Sequence, residues 1–126
     1  MLKITYLEDG IYVEYLSKTV ETWKAARTIF SLRAAVSIYL ESSTACLILQ
    51  IDLPHLTSLT KLAEEELIDI ILCDEEYVEL SLLGTWVSQS KDSEEGTFVC
   101  DLGHENENLL YKLWQESQIG TSVVSE

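Results

Sequence analysis

Two short segments place an aspartate three residues before a histidine, each where a strand is expected to give way to a helix. They are Asp52/His55 and Asp101/His104, and they contain both histidines of the chain. An Asp–His pair can transfer a proton or contribute metal ligands, so a small hydrolase-like enzyme using these pairs is one hypothesis. Zinc, however, takes three or four protein ligands, and the sequence has no close Cys-x-x-Cys pairs. We therefore expect ordinary helix-start residues, with no metal and no cofactor.

Other catalytic patterns are missing from the sequence. It has no G-x-S-x-G nucleophile elbow, no glycine-rich phosphate loop and no Asp-x-Asp-x-Asp-Gly calcium loop. Paired acids at 64–66, 74–76 and 94–95 fall at expected turns and helix ends, which is typical of a solvated surface. The sequence favours a protein without catalytic activity and predicts no catalytic, cofactor-binding or metal-binding residues.

The charge of the chain is strongly unbalanced. Its 126 residues carry 22 acids and 8 bases, for a net charge of −14. Residues 1–34 hold five bases and four acids, which leaves three bases and eighteen acids for residues 35–126. Such a charge repels phosphate backbones and anionic membranes and attracts basic partners. We expect no direct contact with nucleic acid or membrane, and a protein partner that could be basic.

Apolar periodicity predicts three helices, at 19–34, 54–65 and 105–118. Alternating patterns predict short strands at 2–7, 11–16, 35–41, 45–51, 67–73, 76–85, 86–89 and 97–102. The fold class expected from these elements is α+β, a mostly antiparallel sheet with three helices packed on one face, built from repeated hairpin–helix units. Residues 1–119 form a single domain in this interpretation, and residues 120–126 a flexible C-terminal tail.

The helical wheels also predict which side chains are buried. In the first helix, an outward polar stripe is expected to contain Glu21, Lys24, Arg27, Thr28 and Ser31. The core is expected to contain Trp23, Phe30, Leu56, Leu59, Leu62, Leu80, Leu109, Leu113 and Trp114.

The three cysteines, Cys46, Cys73 and Cys100, lie in apolar strand-like runs. We expect buried free thiols, which indicate a reducing compartment. With no signal peptide and no transmembrane span in the sequence, the expected localisation is cytoplasmic.

Five residues are candidates for contacting a partner. Tyr77 and Glu79 lie on the outward face of a predicted strand, and Trp86 follows, either exposed beside them or buried under the 90–96 loop. Lys24 and Arg27 lie on the expected outer face of the first helix. Exposed aromatic rings offer contact area at low entropic cost, so these five are the predicted partner-binding residues.

The segments CDEEYVELSLLGTW at 73–86, EEGTFV at 94–99 and LWQE at 113–116 resemble a family of short uncharacterised proteins from cyanobacteria. The resemblance covers most of the chain and includes no catalytic signature. It implies a bacterial, cytoplasmic setting and assigns no functional residue.

The leading hypothesis is a non-catalytic acidic protein-interaction module that self-associates. A homodimer is expected to use the less acidic first hairpin and helix, where Lys3, Lys18, Lys24 and Arg27 can offset acids of a second copy. One alternative is an acidic nucleic-acid mimic that occupies the basic groove of a DNA- or RNA-binding protein. The other alternative is the hydrolase-like enzyme using the Asp/His pairs.

Overall fold

A computed structural model describes residues 1–52, 68–72 and 74–125, with the backbone alone for residues 71, 72 and 118–125. The described part contains six strands and two helices. The strands are β1 (Leu2–Leu7), β2 (Gly10–Tyr15), β3 (Tyr39–Gln50), β4 (Ile68–Leu72), β5 (Tyr77–Ser88) and β6 (Gly96–Cys100). The helices are α1 (Val20–Ala34) and α2 (His104–Ser125).

All six strands form one antiparallel sheet in the order β2-β1-β6-β5-β3, and β4 also pairs with β5. The long strand β5 organises this sheet, because β3 pairs with its whole length along one edge. Its other edge is shared, since β4 pairs with residues 78–82 and β6 with residues 85–87. Two short strands therefore follow one another along the same side of β5.

Gly84 lies between these two pairings. A Cβ atom at this position would come within 2.3 Å of the Val99 carbonyl oxygen and 2.7 Å of the Phe98 ring. Real Cβ atoms do not approach backbone oxygen that closely, so a side chain here would force the strands apart. The absence of a side chain at Gly84 is what lets β5 and β6 approach at this point.

Side chains on the two faces of the sheet belong to different clusters. Phe98 and Cys100 pack in a large cluster with Leu110 and Leu113 of α2, whereas Val99 packs in a smaller one with Trp23 of α1. Successive side chains of a strand point to opposite faces, so α1 and α2 cover opposite faces of the sheet. Strand β6 is buried on both sides as a result.

The predicted arrangement of three helices on one face is therefore wrong, although the α+β character holds. The described residues contain two helices, one on each face, and the predicted helix at 54–65 lies outside them. The continuous apolar run at 98–100 is the physical reason, because a strand with buried side chains on both faces needs cover on both.

Of the repeated hairpin–helix units, the described residues contain the first, β1–β2 followed by α1, and an antiparallel β5–β6 pair followed by α2, but the predicted middle hairpin is wrong. The predicted turn at 42–44 lies inside β3, and the predicted break before Trp86 lies inside β5. These residues pair directly across the two strands, Ser43 with Gly84 and Glu41 with Trp86, so the ladder continues through both positions. Helix α2 continues to Ser125, past Gly120, and the division into a domain and a tail stays a prediction.

Candidate interaction surface

Helix α1 begins and ends at well-formed caps. Thr19 precedes it with an extended backbone, and its hydroxyl accepts the Thr22 amide N–H at 3.2 Å. At the other end Ala35 takes a left-handed conformation, and the amide of Val36 donates to the Ser31 carbonyl at 3.0 Å. These local contacts define the length of α1 but leave its rotation to be decided by packing.

The apolar side of α1 faces solvent. Ile29, Phe30 and Leu32 are 50%, 62% and 78% exposed, whereas Ser31, in the middle of the same run, is buried. The prediction that Phe30 belongs to the core is wrong, and so is the outward placement of Ser31. Three large apolar side chains exposed within four residues of one helix are characteristic of an interaction surface.

Trp23 anchors α1 to the sheet. Its buried ring packs with Met1, Val87 and Val99 against the sheet. The Lys3 ammonium lies 5.9 Å and the Arg27 guanidinium 5.4 Å from the centre of the same ring, within the range of a cation–π contact. Arg27 can follow Trp23 toward the sheet because its long stem is apolar while its charged end reaches water.

The exposed apolar surface continues from α1 onto the neighbouring chain segments. Leu7, Phe30 and Val36 line an open cavity of about 370 Å³ between the end of α1 and the end of β1. The buried hydroxyl residues Ser88 and Thr97 lie along its wall. We call the exposed residues Ile29, Phe30, Leu32 and Val36 the α1 apolar face.

A second exposed apolar area lies on β3 and β5. Ile48 and Leu83 are largely exposed there, with Leu83 at 72%, and Leu40 is partly exposed. Leu40 pairs with Val87, which packs beneath α1, so this area lies on the same face of the sheet as that helix. We call Leu40, Ile48 and Leu83 the open sheet face.

The five predicted contact residues are divided between the two faces of the sheet. Tyr77 and Glu79 lie on β5 on the same face as Leu83, with Tyr77 exposed and Glu79 half-buried. Trp86 points to the opposite face, where it is half-buried, and its ring lies 5.6 Å from that of Tyr6. Trp86 therefore does not lie beside Tyr77 and Glu79, and it is not fully buried either.

The two basic residues of the predicted set lie on the side of α1 that approaches the sheet. Lys24 is half-buried and pairs with Glu21 at 3.0 Å, while Arg27 stacks on Trp23. Arg33, in the last turn, is the basic residue of α1 that lies nearest its exposed apolar side chains in sequence. The sequence analysis did not name Ile29, Leu32 or Arg33 as contact residues. The signal that could have identified them is the position of large apolar residues close to a base in the sequence.

The residues of the Asp101/His104 pair bind different partners. Asp101 accepts the backbone N–H of Val20 at 3.0 Å, which ties β6 to the start of α1. His104 hydrogen-bonds with the Tyr15 hydroxyl, and the two rings lie 5.1 Å apart in an edge-on arrangement. In the other pair Asp52 is exposed and His55 lies outside the described residues.

The cysteines differ in their surroundings. Cys46 is exposed on β3, so the prediction that it is buried is wrong, whereas Cys100 is buried as expected. Burial, together with the nearby carboxylates of Glu107 and Asp101, raises the pKa of the Cys100 thiol to about 12. This thiol is neutral at physiological pH and is a poor nucleophile. Cys73 lies outside the described residues.

In the described part of the chain, no three His, Cys, Asp or Glu side chains lie close enough together to hold a metal ion. Neither described helix has the length and apolar character needed to cross a membrane.

The fold and the surface together define a small, very acidic α+β protein with one apolar helix face left uncovered. A model of the Alr0857-like family matches residues 1–118, and the chain belongs to this family. No curated protein and no solved structure matches the chain.

Proposed function

We propose that this protein is a non-catalytic interaction module whose contact surface is the α1 apolar face. The observation that carries the proposal is the exposure of Ile29, Phe30 and Leu32 on a helix that buries Ser31 instead. Fully burying a large apolar side chain contributes roughly 1.5–3 kcal/mol, and a partner that covers these three recovers the share that their exposed fractions still leave in water.

The remaining surface suits a second kind of contact. Most of the charge of −14 lies outside α1, and a basic protein is the partner that this charge attracts. Glu8, Glu94 and Glu95 line one shallow depression at the hairpin end of the sheet. A basic protein partner would meet several carboxylates together there. The target of a nucleic-acid mimic would meet the same carboxylates. The family resemblance and the free thiols support a cyanobacterial source and a cytoplasmic setting for this module.

The different partners of Asp101 and His104 weigh against the hydrolase-like alternative. A general base needs its orienting carboxylate within hydrogen-bond reach. Here Asp101 binds a backbone amide and His104 binds Tyr15, so the pair lacks that support.

Photo-crosslinking in native lysate tests the proposal. The photoreactive analogue benzoylphenylalanine would replace Phe30 in one sample and Leu83, on the open sheet face, in a matched control. We expect protein adducts from position 30 and few from position 83. Adducts from neither position, or equal adducts from both, would contradict an interaction module that uses the α1 apolar face.

A further inference from the structure

We propose that the cavity between α1 and the sheet binds a free α-amino acid with an apolar side chain. The carboxylate of this ligand binds Arg27, its ammonium group binds Glu95, and its side chain packs against the apolar part of the cavity wall. The inference goes beyond the proposed function and stands independently of it, since a ligand in the cavity neither requires nor excludes a protein partner on α1.

The floor of the cavity is formed by three neighbouring strands. Thr5 of β1 pairs directly with Thr97 of β6, and Thr97 pairs with Val87 of β5. Val87 packs beneath α1, and directly paired side chains lie on the same face of a sheet, so all three point toward the cavity. Two hydroxyl groups and one apolar group therefore lie side by side on the floor.

Three hydroxyl-bearing side chains that line the cavity are buried. Ser31 of α1, Ser88 of β5 and Thr97 of β6 are 7%, 7% and 4% exposed. The Ser88 hydroxyl donates to the Ser90 carbonyl at 2.7 Å and can still accept a hydrogen bond. Within the described part of the chain, the hydroxyls of Ser31 and Thr97 form no hydrogen bond with protein atoms. Buried polar groups are normally paired, so these two hydroxyls are available to a polar ligand.

Two residues that line the cavity are charged, one of each sign. Arg27 and Glu95 are both exposed, and neither takes part in an ion pair among the described residues. The Arg27 guanidinium lies 5.4 Å from the centre of the Trp23 ring, a contact that positions its charge without neutralising it. One carboxylate oxygen of Glu95 accepts the Glu8 amide N–H at 2.8 Å, which holds the side chain in place and leaves the other oxygen open.

These charges select a zwitterionic ligand. A net anion is repelled by the chain's charge of −14 and by Glu95, whereas a net cation leaves Arg27 without a counter-charge. A zwitterion offers a carboxylate to Arg27 and an ammonium group to Glu95, and both contacts are charge-assisted hydrogen bonds. An α-amino acid has these two groups on one carbon atom, together with a side chain.

The remaining wall of the cavity selects the size and polarity of that side chain. Phe30, Val36, Ile38 and Val87 line the cavity beside the polar groups. The volume of about 370 Å³ is near the lower end of the roughly 300–1,000 Å³ of small-molecule sites, so a single amino acid suits it better than a longer peptide. We expect an aliphatic side chain of the size of leucine.

Isothermal titration calorimetry of the purified full-length chain with three related compounds tests the proposal. Leucine has both charged groups, leucinamide lacks the carboxylate, and 4-methylpentanoate lacks the ammonium group. Leucine should bind with at least about ten-fold higher affinity than either of the others, because each of them loses one charge-assisted contact. No saturable binding of leucine at up to about 10 mM, or equal binding of all three compounds, would overturn the proposal.

Two substitutions test which residue binds which group. Arg27→Gln should abolish the preference for leucine over leucinamide and keep the preference over 4-methylpentanoate, and Glu95→Gln should do the reverse. Lys91→Gln and Asp92→Asn are matched changes in the loop between β5 and β6 at positions that do not line the cavity, so both preferences should survive them. Circular dichroism checks that each variant is folded. Preferences that survive Arg27→Gln and Glu95→Gln as well would overturn the assignment of these two residues.

A third substitution, Thr97→Val, tests the hydroxyl groups of the floor. It replaces a hydroxyl by a methyl group of similar shape in a residue type that strands favour. The affinity for leucine should fall several-fold, while the free energy of unfolding without ligand stays the same or rises, because this hydroxyl has no protein partner to lose. An unchanged affinity for leucine would show that the ligand does not reach the floor and would overturn this placement.

Discussion

The α-ammonium group of Met1 lies 2.9 Å from the Glu107 Oε1 atom, and both groups are buried. The second carboxylate oxygen of Glu107 accepts the Leu102 amide N–H at 2.8 Å. The ammonium also donates to the backbone carbonyls of Leu16 at 2.7 Å and Lys18 at 3.0 Å. This pair joins the start of β1, the segment after β2 and the first turn of α2, and its hydrogen-bonding groups are satisfied by protein atoms.

Glu107→Gln should therefore destabilise the protein strongly. The substitution removes the close, buried partner of the Met1 ammonium and leaves only the Asp101 carboxylate, which is 3.8 Å away and 47% exposed. Breaking a buried pair in this way costs about 3–5 kcal/mol. The matched control is Glu14→Gln, because Glu14 pairs with Lys3 at 3.4 Å at the surface, where such pairs contribute at most about 1 kcal/mol. Urea denaturation measures both free energies of unfolding. Equal losses for the two variants would show that the buried pair is no stronger than a surface pair.

Leu113→Ala and Leu32→Ala should have very different effects. Leu113 of α2 is fully buried in the large cluster, so its truncation should cost about 2–5 kcal/mol by leaving a cavity. Leu32 of α1 is exposed in the single chain, so its truncation should cost less than about 0.5 kcal/mol. The measurement is denaturant unfolding at a concentration low enough to keep the chain monomeric. A large loss for Leu32→Ala would show that α1 packs by its apolar side after all.

Much of the fold follows from the sequence because its local signals agree with its packing. The alternating residues and the Gly10 turn predict the β1–β2 hairpin, and the apolar spacing of Leu109, Leu110 and Leu113 predicts α2. The predicted core residues Leu80 and Leu113 are fully buried, and Trp23 is buried as well. Leu56, Leu59 and Leu62 lie outside the described residues.

The errors share one physical cause, which is that local patterns do not contain the tertiary contacts that override them. The polar residues Ser42 and Ser43 are typical of a turn, yet the ladder between β3 and β5 holds them in a strand. On α1 the wheel gives Trp23, Ile29 and Phe30 the apolar side, yet only Trp23 of these three is buried, and Ser31 of the predicted polar stripe is buried as well. The candidate surface was missed for this reason.

The cysteines should react at different rates in the native protein. In a Cys73→Ser background, the exposed Cys46 should be labelled by iodoacetamide, whereas Cys100 should be protected because its thiol is buried and neutral. Mass spectrometry of the digested protein assigns the label to each site. Rapid native labelling of Cys100, with denatured protein as the reference, would contradict its burial.

The raised pKa of Cys100 also predicts how stability depends on pH. The folded-state pKa is about 12 against an ordinary value of 9.0 for a thiol, so above pH 9 the unfolded chain loses this proton more readily than the folded one. The associated stability is fully present below pH 9 and is lost as the pH rises toward 12, by up to about 1.4 kcal/mol per pH unit. Relative to wild type, Cys100→Ala should show a smaller loss of unfolding free energy between pH 9 and about 11. Parallel pH profiles for the two proteins would contradict this assignment.

The dimer should persist or tighten when the salt concentration rises from low to about half-molar, where the Debye length falls well below 10 Å. Salt has two opposing effects here, because it screens the repulsion between two chains of charge −14 and also weakens local ion pairs between the copies. The global repulsion involves far more charge than local ion pairs do, and burial of apolar side chains is not screened. Light scattering on a sizing column at low and high salt measures the outcome. If the dimer dissociates as salt is added, ion pairs rather than the α1 apolar face hold it together, and a monomer under both conditions would refute the dimer.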